Sequence, residues 1–260
     1  MAESAEDGQR TAWPWRRWLH LVPFAERVGI GTLMLLLLLA GGIWAFVELA
    51  DEVVEGETAA IDRALLLALR RSDDLSDPLG PHWLEELGRD FTALGGVGVL
   101  TLLTLMVAGY LALHRLRGAM LLVLASVGGG LLVSTVMKEI FERPRPDLVP
   151  HGSYVYTASF PSGHSMMAAA TYLTLAALLA RVQPNHRLRA YLLGLAVLVT
   201  VLVGVSRVYL GVHWPTDVLA GWTVGAAWAL VVWLTARWLQ ARGHVETEAQ
   251  MERDDHGPQA

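Results

Sequence analysis

Residues 28–49 read VGIGTLMLLLLLAGGIWAFVEL, an apolar run whose single charge is Glu48 near its end. At about 1.5 Å per residue, a helix of this length crosses a hydrocarbon core of about 30 Å. A cleaved signal peptide is the competing reading, but the apolar core is longer than a typical h-region. Five more such blocks follow, at about 91–113, 119–141, 163–181, 189–209 and 216–239. The expected fold is therefore all-α, a six-span transmembrane helical bundle. Between its first two spans, residues 50–90 are acidic and read as an external cap segment. Within it, Ala59–Leu69 (AAIDRALLLAL) and His82–Arg89 (HWLEELGR) predict short amphipathic helices. These either lie on the bilayer surface or pack against the spans.

The rest of the composition agrees. Hydrophobic residues make up 53% of the chain and charged residues 17%, against about a quarter charged in an ordinary soluble domain. The absence of cysteine excludes disulfides, thiolate nucleophiles and Cys-ligated metals. Nothing in the charge pattern points to nucleic acid. Residues 1–27 form a basic, Trp-rich arm, the links at 114–118 and 182–188 are basic, and residues 240–260 read as a disordered tail. The positive-inside rule puts both termini and the basic links in the cytoplasm, and the 50–90 segment with the loops 142–162 and 210–215 outside. Gly95, Gly96, Gly98 and Gly128–Gly130 fall within spans and read as sites of close helix approach.

Three short clusters lie at the outer ends of the spans. The first, Lys138 to Pro146 (KEIFERPRP), has the form K-x6-R-P; Lys138 is the only lysine in the chain. The second is Pro161-Ser162-Gly163-His164. The third, Ser206 to Asp217 (SRVYLGVHWPTD), has the form S-R-x5-H-x3-D. Each part has a chemical reading. Asp217, four residues after His213, is spaced to hold one imidazole nitrogen and leave the other free to attack. Ser162 suits the N-cap of a helix whose first N–H groups, at Gly163 and His164, make an anion site. His164 stands ready there to protonate a leaving oxygen. Lys138, Arg145 and Arg207 supply positive charge for phosphate oxygens. The set provides what phosphoryl transfer needs without a metal or other cofactor. Arg143 reads as a topology anchor at a span end, and His82 and His151 as ordinary polar loop residues.

In these three signatures, from Lys138 to Asp217, the chain resembles the type 2 phosphatidic acid phosphatase family. That family includes lipid phosphate phosphatases and bacterial undecaprenyl-diphosphate phosphatases. Among bacterial members it is most similar to phosphatidylglycerophosphatase B-like enzymes, given its size and the segment between its first two spans. The resemblance implies a multi-pass protein of a bacterial inner membrane that hydrolyses lipid phosphates or diphosphates on the external side. His213 would form a phosphohistidine, Asp217 would orient it and His164 would protonate the leaving group. Lys138, Arg145, Ser162, Gly163 and Arg207 would bind the phosphate. Two alternatives use the same residues: a lipid phosphotransferase, and a non-catalytic phospholipid-binding or transport protein.

Overall fold

A computed structural model of the chain describes residues 29–147, 158–181 and 183–242. The N-terminal arm, His151 and the chain beyond 242 lie outside the described residues. Those described form eight helices: α1 (Ile30–Glu55), α2 (Ala59–Leu67), α3 (His82–Leu94), α4 (Val97–Leu113), α5 (Arg117–Ile140), α6 (Gly163–Arg181), α7 (His186–Tyr209) and α8 (Pro215–Ala241). Their only β pairing is an isolated bridge between Arg70 and Pro78.

Five of them, α1 and α5 to α8, are long and apolar enough to cross a membrane. The helices α3 and α4 qualify as a sixth span only as a pair, bent by 48°. This corrects the second span expected over 91–113. The chain breaks at Gly95–Gly96, and the break has a packing reason. A Cβ on Gly95 would lie 2.5 Å from Val203 Cγ1 and 2.9 Å from the His164 carbonyl oxygen. Only a residue without a side chain lets α3 end against α6 and α7. The first span also runs further than expected, to Glu55, and α8 reaches Ala241, into the stretch read as tail.

By internal contacts the chain divides into Met1–Leu38 and Leu39–Ala260. In the first unit the described residues are the opening turns of α1, with Ile30, Met34 and Leu36–Leu38 exposed. Such a surface suits lipid rather than water.

In the second unit, α6 is the central helix, packed against α5, α7 and α8. Its first half is built of small residues, and Ala168, Ala169 and Ala170 are fully buried. The partner helix α8 answers with Gly221 and Gly225. A Cβ at Gly225 would lie 2.4 Å from the Met166 carbonyl oxygen, and one at Gly221 2.6 Å from that of Ser162. This is the small-xxx-small device that brings membrane helices into backbone contact. Two tryptophans of α8 fill glycine notches in its other neighbours. The Trp222 ring fits over Gly204 of α7, and that of Trp228 over Gly129 of α5. Their indole N–H groups donate to the backbone carbonyls of Thr200 (3.0 Å) and Ser126 (2.8 Å). With water excluded, such a donor needs a protein partner.

At the end where α5 and α7 finish and α6 and α8 start, Phe160 is fully buried against Ala50, Val53 and Ala220. It stacks on Phe46 (6.0 Å) and meets Phe141 edge-on (5.0 Å). Each such pair adds about 0.5–1.5 kcal/mol beyond its buried area. The cluster fixes the backbone leading into Ser162. The short helix α2 packs on α8 and buries Asp62 and Leu66, so it docks against a span instead of lying free on the bilayer.

Candidate active site

The last helix carries the centre of the site. Proline at 215 opens α8, where its missing N–H costs nothing. Asp217, in the first turn, accepts the Trp214 N–H at 3.0 Å through Oδ2. The same oxygen accepts from the Ser159 hydroxyl and lies 3.3 Å from His213 Nδ1. Facing an acceptor-only carboxylate, Nδ1 is assigned the proton. Nε2 therefore carries the lone pair, and the Arg145 Nη1 group donates to it at 3.1 Å. Arg145 Nη1 also donates to the Val212 carbonyl at 3.0 Å. His213 is buried, and this burial, opposed by the Asp217 carboxylate, pushes its pKa down to about 4. Arg145 is likewise lowered by burial, again opposed by Asp217.

The other expected residues converge on this pair from three more helix ends. Lys138 comes from the last turn of α5. A Cβ at Gly163 would lie 3.2 Å from its Nζ and 3.3 Å from Ser134 Oγ, so glycine admits the ammonium to the start of α6. Ser162 is buried immediately before α6. Its N–H donates to the Asp217 carbonyl (2.9 Å), and its carbonyl accepts the Met166 N–H (2.9 Å). Its hydroxyl accepts from that of Ser165 at 3.0 Å. His164 follows on the first turn of α6, with Nε2 3.8 Å from where a Gly96 Cβ would stand. Arg207 reaches in from the last turn of α7; its Nη1 donates to Thr92 Oγ1 at 3.0 Å. Its Nε is buried with no partner among the described residues, a donor that an anionic oxygen would satisfy.

Besides Thr92, four residues around Asp217 were not read from sequence as part of the site. Arg143, read as a topology anchor, is instead held between two buried carboxylates. Its Nη1 lies 2.6 Å from Asp217 Oδ1, and its Nη2 lies 2.7 Å from Asp62 Oδ2. Asp62, on α2, also accepts the Thr216 N–H at 3.0 Å and the Thr216 hydroxyl at 2.6 Å. Thr216 Oγ1 in turn accepts from Arg143 Nη1 at 2.8 Å. Ser159 closes the ring, donating its N–H to the Arg143 carbonyl at 2.8 Å. Removing one member of a buried ion-pair network typically costs about 3–5 kcal/mol. One sequence signal pointed here: Asp62 interrupts the most apolar short helix of the 50–90 segment, where an unpaired carboxylate would be costly. Gly95 and Gly96, read only as helix-packing positions, also border His164. Among the described residues, no group of three or more His, Cys, Asp or Glu is placed to hold a metal ion.

The sequence profile of the PAP2 superfamily matches residues 119–241. Phosphatidylglycerophosphatase B of Bacillus subtilis is 40% identical over 148 residues, covering 55% of this chain and 70% of that protein. The chain belongs to the PAP2 superfamily. A lipid A 1-phosphatase of Rhizobium etli is 27% identical over 174 residues, covering 58% of this chain and 71% of the relative. The fold agrees with the crystal structure of the PAP2-type phosphatidylglycerolphosphate phosphatase from Bacillus subtilis. That likeness has a TM-score of 0.65 at 32% identity over 77% of this chain and 96% of the other. Lys138, Arg145, Ser162, Gly163, His164, Arg207, His213 and Asp217 all fall inside the PAP2 match, whereas Asp62 and Thr92 precede it.

Proposed function

We propose that this membrane phosphatase removes phosphate from the head groups of lipid phosphates or diphosphates through a phosphohistidine on His213. The observation that carries this reading is the division of labour at one imidazole. Nδ1 is turned to Asp217 and Nε2 to Arg145, so the lone pair points where the cations gather. In the first step the Nε2–P bond forms and the bond from phosphorus to the lipid oxygen breaks. His164, which takes up a proton as the anionic head group binds, passes that proton to the lipid oxygen. In the second step a water oxygen bonds to phosphorus, its proton goes to His164, the N–P bond breaks and inorganic phosphate leaves. Lys138, Arg145, Arg207 and the N-terminal N–H groups of α6 offset the charge on the equatorial oxygens. One such donor is worth about 3–4 kcal/mol in comparable oxyanion sites.

Phosphatidic acid, phosphatidylglycerophosphate, undecaprenyl diphosphate and lipid A are the substrate classes to compare. The lipid tail would lie among the spans, and the reacting end on the external face of a bacterial inner membrane. Purified protein in detergent should release inorganic phosphate from at least one of these lipids without an added acceptor. Activity should persist in EDTA and fall with vanadate, and His213→Ala should be inactive while still folded. Full activity of folded His213→Ala would overturn the reading.

A further inference from the structure

Asp62 sits on a helix that contributes no group to the phosphate pocket, yet it makes three contacts to the part that does. It accepts from the Thr216 backbone N–H, from the Thr216 hydroxyl and from Arg143 Nη2. Thr216 lies in the opening turn of α8, where backbone N–H groups have no helical partner. Asp62 thus caps α8 from another helix. Through Arg143, whose two terminal nitrogens hold one carboxylate each, it also faces Asp217. A guanidinium meets the two carboxylates with separate nitrogens, whereas an ammonium would have to reach both from one atom.

We propose that Asp62 is a positioning residue for the His213–Asp217 pair, acting through Arg143 and the first turn of α8. The inference rests on the phosphohistidine reading of His213. Asp62 takes up half of the Arg143 fork and keeps Asp217 from pairing fully with it. Asp217 is then left with the charge that holds His213 Nδ1–H and steadies the imidazole as Nε2 attacks. The segment between the first two spans is on this account part of the catalytic machinery, through one buried carboxylate.

The test is the pH dependence of phosphate release by Asp62→Asn, Arg143→Gln and the double variant in detergent, beside wild type, His213→Ala and the exposed-acid control Asp73→Asn. Asparagine can still accept from the Thr216 N–H but carries no charge for Arg143. The expected result for Asp62→Asn is a kcat about ten- to hundredfold lower, as for other partners that orient a reacting group. The acidic limb of kcat/KM should also move to lower pH by about half a unit, because a negative charge that favours the imidazolium is gone. The charged groups around that imidazole are Asp217, Arg143, Arg145, Lys138, His164 and Arg207, and all are unchanged in this variant. Partial unfolding would scale the profile without moving its limb. The double variant should lose no more than Arg143→Gln alone, within about threefold, since both act along one path. An unmoved limb with near-wild-type kcat, or losses that multiply in the double variant, would overturn the role of Asp62 while inactive His213→Ala left the phosphohistidine reading standing. Wild-type turnover by His213→Ala would overturn both.

Discussion

Arg145 Nη1 lies 3.1 Å from His213 Nε2, so the nitrogen proposed to attack phosphorus is also the one a guanidinium holds. For Nε2 to reach phosphorus, Arg145 must move from the imidazole to the phosphate oxygens, trading a neutral acceptor for a charged one. Arg145→Ala should therefore lower kcat/KM by about two to three orders of magnitude, the loss of one oxyanion donor. Arg145→Lys should recover little of it, since an ammonium does not reproduce the planar fork. Initial rates of phosphate release over a lipid-phosphate series check both.

The burial of His213 sets the pH behaviour. With its pKa pushed down to about 4, the imidazole is neutral and nucleophilic across pH 5–8. The acidic limb of kcat/KM should fall near pH 4 and not near the ordinary histidine value. The same depression acts on stability. Between the unfolded value of 6.5 and about 4, the unfolded chain binds a proton at this ring that the folded chain refuses. Stability from this group is fully present above 6.5 and is lost as pH falls towards 4. Thermal unfolding in detergent at pH 4 and 7 measures that loss, and His213→Gln should flatten its share.

Thr92 Oγ1 accepts from the Arg207 guanidinium at 3.0 Å. Thr92→Val keeps the shape and removes the acceptor. The cost of a lost bond to a charged donor is about 1.5–3 kcal/mol, so kcat/KM should fall at least about tenfold. Michaelis–Menten kinetics on one lipid substrate test it, with KM expected to rise more than kcat falls.

Gly221 lies one turn beyond Asp217, against the Ser162 carbonyl. A methyl group there would have to push α8 away from α6 at the site itself. Gly221→Ala should cost about 1–3 kcal/mol of stability and lower activity as well. Gly98→Ala, in open space, should do neither. Melting temperatures in detergent and phosphate release together separate the two.

Most of the site was legible because phosphate chemistry leaves residues of fixed type at fixed spacing. His213 and Asp217 lie on one turn, Ser162-Gly163-His164 opens a helix, and the cations Lys138, Arg145 and Arg207 flank them. The hydrophobic blocks likewise mark where helices run, since few other arrangements satisfy backbone groups in lipid. What sequence could not give was contact between distant segments. Arg143 looks like many arginines at span ends until Asp62 and Asp217 are seen on either side of it. The break at Gly95–Gly96 was hidden because hydropathy measures apolarity, not the closeness of Val203 and His164. Tryptophans seated in glycine notches follow from the same blindness: Trp222 and Gly204 are unremarkable letters until α7 and α8 meet.

Arg143 is gripped by one carboxylate made early in synthesis and another made late. As the chain leaves the ribosome, Asp62 comes first, Arg143 next, and Asp217 only with the final span. Until Asp217 is made, a nascent chain carries the cations of the candidate site, but Arg143 and His213 lack the carboxylate they share. A chain cut short before α8 would keep the Asp62 contact to Arg143 and lose the Asp217 one, so the pairing is complete only once every span has been made.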